Sequence, residues 1–172
     1  MTSERRGRIY LVGFMGSGKT SVGRQLAREL GWQFLDLDEQ IERRRGLSVA
    51  EIFEQDGEAE FRRLETAALR ETLTARDTVI ATGGGTLTRW ENREMIQRHG
   101  VMVWLEAPLD VMLRRCREGS RRPLLSTEER MTALLAERLP GYRGADLRAD
   151  SAGAGPEETA RFIAGRLGEH HR

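Results

Sequence analysis

Cysteine is almost absent. Cys116 is the only one among 172 residues, so no disulfide can form within the chain, which fits a reducing compartment. No hydrophobic run approaches the length of a membrane span, and Met1-Thr2-Ser3-Glu4-Arg5-Arg6 lacks the apolar stretch of a signal peptide. The expectation is a cytoplasmic protein with no membrane partner. An excess of one charge is also lacking: 28 lysines and arginines nearly cancel 27 aspartates and glutamates, which argues against a nucleic-acid or other polyanion partner. The histidines, His99, His170 and His171, make no metal-ligand pattern with Cys116. No internal repeat or low-complexity linker interrupts the chain, and its length suits a single domain, 1–172, with a sizeable core. The charge balance fails in one place: five arginines accumulate between Arg114 and Arg122.

What is present begins with Gly13-Phe14-Met15-Gly16-Ser17-Gly18-Lys19-Thr20, which fits G-x-x-x-x-G-K-[ST]. The apolar run Ile9-Tyr10-Leu11-Val12 before it reads as a strand. After it, Val22, Leu26 and Leu30 fall at helical spacing. In that setting the glycines let backbone N–H groups curl inward, and the helix amino end adds positive partial charge. Gly16, Ser17, Gly18, Lys19, Thr20 and Ser21 are therefore candidate ligands of a nucleoside triphosphate. Lys19 is placed to reach the outer phosphates and Thr20 to ligate Mg²⁺.

Further strands are predicted at Trp32–Asp36, Thr78–Ala81 and Val101–Leu105, with a short, weak fifth at Leu147–Ala149. Helices are predicted at Glu39–Arg45, from the capping box Ser48-Val49-Ala50-Glu51, from Glu58 to about Leu73, at Trp90–Arg98, after Pro108, at Glu128–Arg138 and from Pro156. Asp56-Gly57 is expected to turn the chain between two helices, and Pro140-Gly141 to break another. The segment Arg117–Ser126, arginine-rich and interrupted by Pro123, reads as a mobile lid. Strands alternating with helices give an α/β fold: a five-stranded parallel sheet between two helical layers, with ligands beyond the carboxyl ends of the strands.

Those strand ends supply the remaining candidates. Asp36-Leu37-Asp38 closes the second strand. If the chain stays extended, both carboxylates share a face, one near a metal and the other accepting a hydrogen bond from a substrate hydroxyl; the alternative is a helix-capping Asp with a solvated neighbour. Gly83-Gly84-Gly85 closes the third, serving either a tight turn or close approach of backbone N–H groups to a substrate. Arg62 and Glu65 are i, i+3 neighbours, either a surface pair or an arginine fork for a substrate carboxylate held in place by Glu65. Arg122, stiffened by Pro123, could neutralise charge on a transferring phosphoryl group; a solvated charge run is the other reading.

Taken in order, these motifs resemble the shikimate kinases, a nucleoside-monophosphate-kinase-like branch of the P-loop NTPase folds. The resemblance spans essentially the whole chain: Gly13–Thr20, Asp36-Leu37-Asp38, Asp56-Gly57-Glu58 with Phe61-Arg62-Arg63, Gly83–Gly85, Arg122-Pro123-Leu124-Leu125, and Arg138 to Tyr142. It implies phosphoryl transfer from ATP to the 3-hydroxyl of shikimate with Mg²⁺, in a monomer. It implies Lys19, Asp38 and Arg122 as catalytic residues, Asp38 on the accepting hydroxyl, and Asp36 near the metal through water. Arg62 and Arg138 become the carboxylate clamp, Gly83, Gly84 and Gly85 contacts to ring hydroxyls, and Phe53 and Phe61, with Val49, the apolar wall. The substrate region becomes about 37–65 and the lid about 117–126. Arg115 and Pro156 match adenine-contacting positions.

One departure is visible: the family usually has Pro-Leu-Tyr where this chain has Pro140-Gly141-Tyr142, so Gly141 is expected to loosen the turn behind Arg138. Glu106, after the fourth strand, imitates a metal-binding acid and is assigned a structural role. The alternatives are another small-molecule kinase, such as a gluconate or nucleoside-monophosphate kinase, and a non-catalytic nucleotide-binding switch. A gluconate kinase resembles the chain at the phosphate loop but not at Phe61-Arg62-Arg63 or the triple glycine, and the sequence shows no signature of the nucleobase pocket that a monophosphate kinase needs. No guanine-reading Asn-Lys-x-Asp supports a GTPase switch.

Overall fold

An apolar run such as Ile9-Tyr10-Leu11-Val12 buries both its faces only inside a parallel sheet, and that is where it lies. The computed structural model describes residues 7–118, 128–153 and 155–169. β1 (Arg8–Val12) is central. It is flanked by β3 (Thr78–Ala81) and β4 (Val101–Glu106), with β2 (Gln33–Asp36) and β5 (Leu147–Asp150) at the edges, giving the order β2-β3-β1-β4-β5. Every pairing is parallel; Leu11 stands in register with Ala81 on one side and Val103 on the other.

Side chains alternate across the strands, so the sheet has two cores. Ile9, Leu11, Val79, Val103 and Leu105 face α1 (Lys19–Leu30) and α7 (Pro156–Glu169). Tyr10, Val12, Ile80, Met102 and Trp104 face the other layer: α2 (Leu37–Arg45), α3 (Val49–Glu71), α4 (Trp90–His99), α5 (Leu109–Glu118) and α6 (Glu128–Tyr142). This is the expected α/β/α sandwich with a five-stranded parallel sheet. At the amino end of the sheet, the buried Arg8 guanidinium donates to the carbonyls of His99 (2.7 Å), Leu73 (2.9 Å) and Ala75 (2.8 Å), tying together the segments that lead into β3 and β4.

Two local expectations change. The chain does not stay extended through Asp36-Leu37-Asp38: α2 starts at Leu37, and the Asp36 carboxylate caps it by accepting from the N–H groups of Asp38 (3.0 Å) and Glu39 (3.3 Å). The capping box at Ser48 and Glu51 forms, and Asp56-Gly57 turns the chain between the two helical segments of α3 as expected: Gly57 leaves helical geometry with φ 83°, which a side chain would resist. The break expected at Pro140-Gly141 is absent. α6 runs through Pro140 to Tyr142, because burial of Gly141 and Tyr142 and the Arg143 N–H to Leu139 carbonyl bond (3.1 Å) hold the last turn. Arg122 and most of the expected lid lie outside the described residues. Among the described residues, no helix is long and apolar enough to cross a membrane.

Candidate active site

The sequence Gly16-Ser17-Gly18 leaves α1 without a side-chain cap, so the amino end of the helix points its first-turn N–H groups at the loop. With the helix dipole they form an anion site at the carboxyl end of β1. Lys19 Nζ donates to the carbonyls of Gly13 (2.8 Å) and Phe14 (2.9 Å), which stretches the ammonium back across the loop. Thr20 Oγ1 donates to Asp36 Oδ2 at 2.7 Å. Burial raises the Asp36 carboxyl above its ordinary pKa, the Thr20 hydrogen bond opposing it. A hydroxyl and a carboxylate at this point are hard oxygen donors, and among the described residues no larger cluster of metal-ligating side chains exists. That sparse oxygen set suits Mg²⁺, which keeps several waters and takes its other ligands from phosphates.

Ser17 is fully buried, and Ser21 is exposed on the first turn of α1. Arg115 on α5 donates to the Gly16 carbonyl (3.4 Å) and the Ser151 carbonyl (2.6 Å), bridging the loop to the end of β5. Pro156, the other expected adenine contact, is exposed at the start of α7. Glu106 pairs with Arg148 on the neighbouring β5, whose guanidinium lies 5.0 Å over the Trp104 ring, which is a structural arrangement.

The acceptor side is built around Gly83-Gly84-Gly85, all buried beyond the end of β3. Absence of side chains here makes room for other side chains. A methyl group on Gly85 would overlap the Arg62 guanidinium, and one on Gly83 would overlap Glu65 and sit 3.0 Å from Asp38 Oδ1. One on Gly84 would lie 3.2 Å from Arg138 Nη1 and 3.4 Å from the Met15 nitrogen of the phosphate loop. The glycines thus bring Asp38, Arg62 and Arg138 together against the loop that carries Lys19. The carbonyls of the three glycines are all occupied, accepting from Thr86 N–H (3.2 Å), the Tyr142 hydroxyl (2.5 Å), and Thr88 through N–H (3.1 Å) and hydroxyl (2.7 Å). None of their N–H groups meets an acceptor among the described residues, so buried donors are left for a ligand.

The surface-pair reading of Arg62 and Glu65 fails. Glu65 is fully buried, its carboxylate accepting from Arg62 Nη1 (2.8 Å) and Thr86 Oγ1 (2.5 Å). Burial raises the Glu65 pKa, with Arg62 and Thr86 pulling the other way. The Arg62 guanidinium also lies over the rings of Phe53 (5.9 Å) and Phe61 (5.5 Å), themselves 4.8 Å apart, with Val49 packed nearby on the same core. Its Nε and Nη2 edge meets Glu58 Oε1 at 3.3 Å for each nitrogen. Arg138 lies 5.5 Å over Phe14, and its Nε has no partner among the described residues. Burial lowers the Arg138 pKa, so a carboxylate would relieve a desolvated cation.

Sequence reasoning missed Glu58, Thr86 and Tyr142. Glu58 and Arg62 are i, i+4, a spacing that could have exposed the pair. Arg138 and Tyr142 have the same spacing, hidden by the break assumed at Pro140. Nothing in the sequence marks Thr86.

A parallel sheet with a phosphate loop after β1, beside two arginines and an aspartate gathered over a glycine floor, defines a small-molecule kinase of the phosphate-loop class. The chain matches the shikimate kinase family model over residues 15–167, and it belongs to that family. A shikimate kinase of Geobacter sulfurreducens is 44% identical over 165 residues, 94% of this chain and 91% of the relative. One of Halorhodospira halophila is 47% identical over 161 residues, 91% and 90% of the two chains. A solved shikimate kinase of Acinetobacter baumannii in complex with shikimate superposes with a TM-score of 0.91 at 39% identity, covering 97% of this chain and 96% of that one.

Proposed function

We propose that the protein transfers the γ-phosphoryl group of ATP to the 3-hydroxyl of shikimate. The observation that carries this reading is the placement of Asp38, Arg62 and Arg138 around the glycine loop, directly against the phosphate loop. A small carboxylate bearing several hydroxyls needs a cationic fork at one end and acceptors or backbone donors at the other. Arg62, pre-oriented by Glu65 and the two phenyl rings, and Arg138 take the carboxylate. The free N–H groups of Gly83–Gly85 take ring hydroxyls, and Asp38 accepts the hydrogen bond of the reacting hydroxyl. Phe53, Phe61 and Val49 form the apolar wall.

On the donor side, Lys19 moves its ammonium from the Gly13 and Phe14 carbonyls to the outer phosphate oxygens. Gly16, Ser17, Gly18, Thr20 and Ser21 line the triphosphate, with Arg115 and Pro156 toward the adenine. Thr20, and Asp36 through water, hold Mg²⁺, which neutralises charge on the phosphate oxygens when bound. With both partners placed in line, positioning and charge neutralisation supply most of the acceleration. The working unit is one domain, a monomer in the cytoplasm, with region 37–65 reserved for the acceptor.

The test is a coupled ADP-release assay offering shikimate, gluconate, AMP or no acceptor. Turnover with shikimate is expected. Turnover only with gluconate or AMP, or with none of the acceptors, overturns the reading.

A further inference from the structure

The glycine loop has to present its N–H groups in a fixed direction, yet three consecutive glycines have the least intrinsic preference for any direction. Something outside the loop must hold it. The peptide between Gly84 and Gly85 is held by Tyr142, whose hydroxyl donates to the Gly84 carbonyl at 2.5 Å in a fully buried contact. The chain's described peptides are all trans, so the carbonyl of residue 84 and the N–H of residue 85 point in opposite directions. Fixing the carbonyl on Tyr142 fixes the Gly85 N–H on the other side, unpaired among the described residues.

Tyr142 is well suited to this. Its ring stacks on Trp104 with centroids 6.0 Å apart, which leaves the phenol little freedom. Burial pushes its pKa up to about 12, so the hydroxyl keeps its proton for Gly84. It also faces Arg138, one helical turn earlier on α6, which interacts with the same phenol oxygen. Gly141, next to it, allows α6 to approach Leu87, just past the glycine loop.

We propose that Tyr142 is a positioning residue for the acceptor: through Gly84 it sets the direction of the glycine-loop N–H groups, and through α6 it locks that loop to Arg138. The hydroxyl-reading and carboxylate-reading parts of the site then act as one rigid unit. This rests on the shikimate reading above.

Tyr142→Phe removes the hydroxyl and keeps the ring. The shikimate KM is expected to rise about tenfold, the weight of one buried hydrogen bond, while the ATP KM stays within about twofold. Calorimetric binding of shikimate without nucleotide should weaken by a similar factor. Trp104→Phe, which disturbs the stacking partner and keeps the hydroxyl, should lower the melting temperature and leave both KM values within about twofold. A Tyr142→Phe enzyme with unchanged shikimate KM, with both KM values raised equally, or matched by Trp104→Phe overturns the proposal. Independently of any variant, shikimate should slow amide exchange of 83–85 and 138–142 together in the wild type; protection of one segment alone also overturns it. Wild-type turnover of shikimate is the separate test of the functional reading. If it is absent both fall, and if it is present the Tyr142→Phe comparison concerns positioning alone.

Discussion

Gly141 is where sequence and structure disagree about the purpose of a residue, and Gly141→Leu decides between them. If the glycine merely loosens a turn, leucine should stabilise the chain. Leucine in a helix interior regains about 0.8 kcal/mol relative to glycine. In the structure, however, Gly141 is a buried residue of α6, and a Cβ there would lie 3.1 Å from Leu87 Cβ and 3.4 Å from the Leu87 carbonyl oxygen. Leu87 is itself buried, and neither its Cβ nor its carbonyl can swing aside without moving the backbone that follows the glycine loop. The rest of the leucine side chain has to enter filled space, and such overpacking costs about 1–3 kcal/mol. The net is a loss of about 0.2–2 kcal/mol, a fall of about 1–8 °C in Tm for a chain of this length. Because displacement of α6 carries Arg138 and Tyr142 with it, the shikimate KM should rise as well. Thermal unfolding followed by circular dichroism, with steady-state kinetics on the same preparations, measures both. Gly141→Ala, which adds only the Cβ, should stay near the wild type because helix propensity and crowding offset each other. A Gly141→Leu Tm equal to or above that of the wild type would refute the close seating of α6 on Leu87.

Arg62→Ala should raise the shikimate KM by about 10- to 100-fold, the range for hydrogen bonds to a charged group, and leave the ATP KM nearly unchanged; unchanged shikimate kinetics would remove Arg62 from the clamp. Glu58→Gln should lower the shikimate KM about two- to threefold, because the exposed Glu58 carboxylate occupies the Nε and Nη2 edge of Arg62 that an incoming carboxylate needs. A raised KM would mean that Glu58 instead helps to orient the guanidinium. Glu65 provides a pH test. Its folded-state pKa is raised by burial, so the folded chain binds that proton more tightly than the unfolded chain does. Its contribution to stability therefore falls as pH rises from the unfolded pKa of about 4.3 through the folded one, and is flat beyond. Denaturant titrations of wild type and Glu65→Gln should show the wild type losing ground over that window. A constant difference from pH 4 to 7 would contradict the assignment.

The fold was legible because its signals are local and repeated: apolar runs of strand length, helical spacing in α1, and the phosphate-loop spacing between them. The candidate site was legible wherever a residue type is itself unusual, as at Lys19, Asp38, Arg62 and the three glycines. Long-range partnerships were not. Glu65 and Thr86 are 21 positions apart, and Tyr142 and Gly84 58 apart; no periodicity connects them. Pro140 misled because its rule concerns an isolated helix, whereas tertiary burial of Gly141 and Tyr142 sustains α6 beyond it. Asp36 misled differently: its carboxylate both caps α2 and accepts from Thr20, and because α2 starts at Leu37 the extended geometry that would put it on one face with Asp38 does not form.

The hydrogen bonds of Arg8 have an implication for engineering this chain. One end of the sheet is knitted by a cation whose donors meet three carbonyls, while at the other Ser17 Oγ and Arg138 Nε are buried with no hydrogen-bond partner among the described residues. Added stability should therefore be sought among the loops around Arg8, away from the residues assigned to the two substrates. The same effort at the opposite end would alter the residues that the proposed function assigns to ligands, trading turnover for melting temperature.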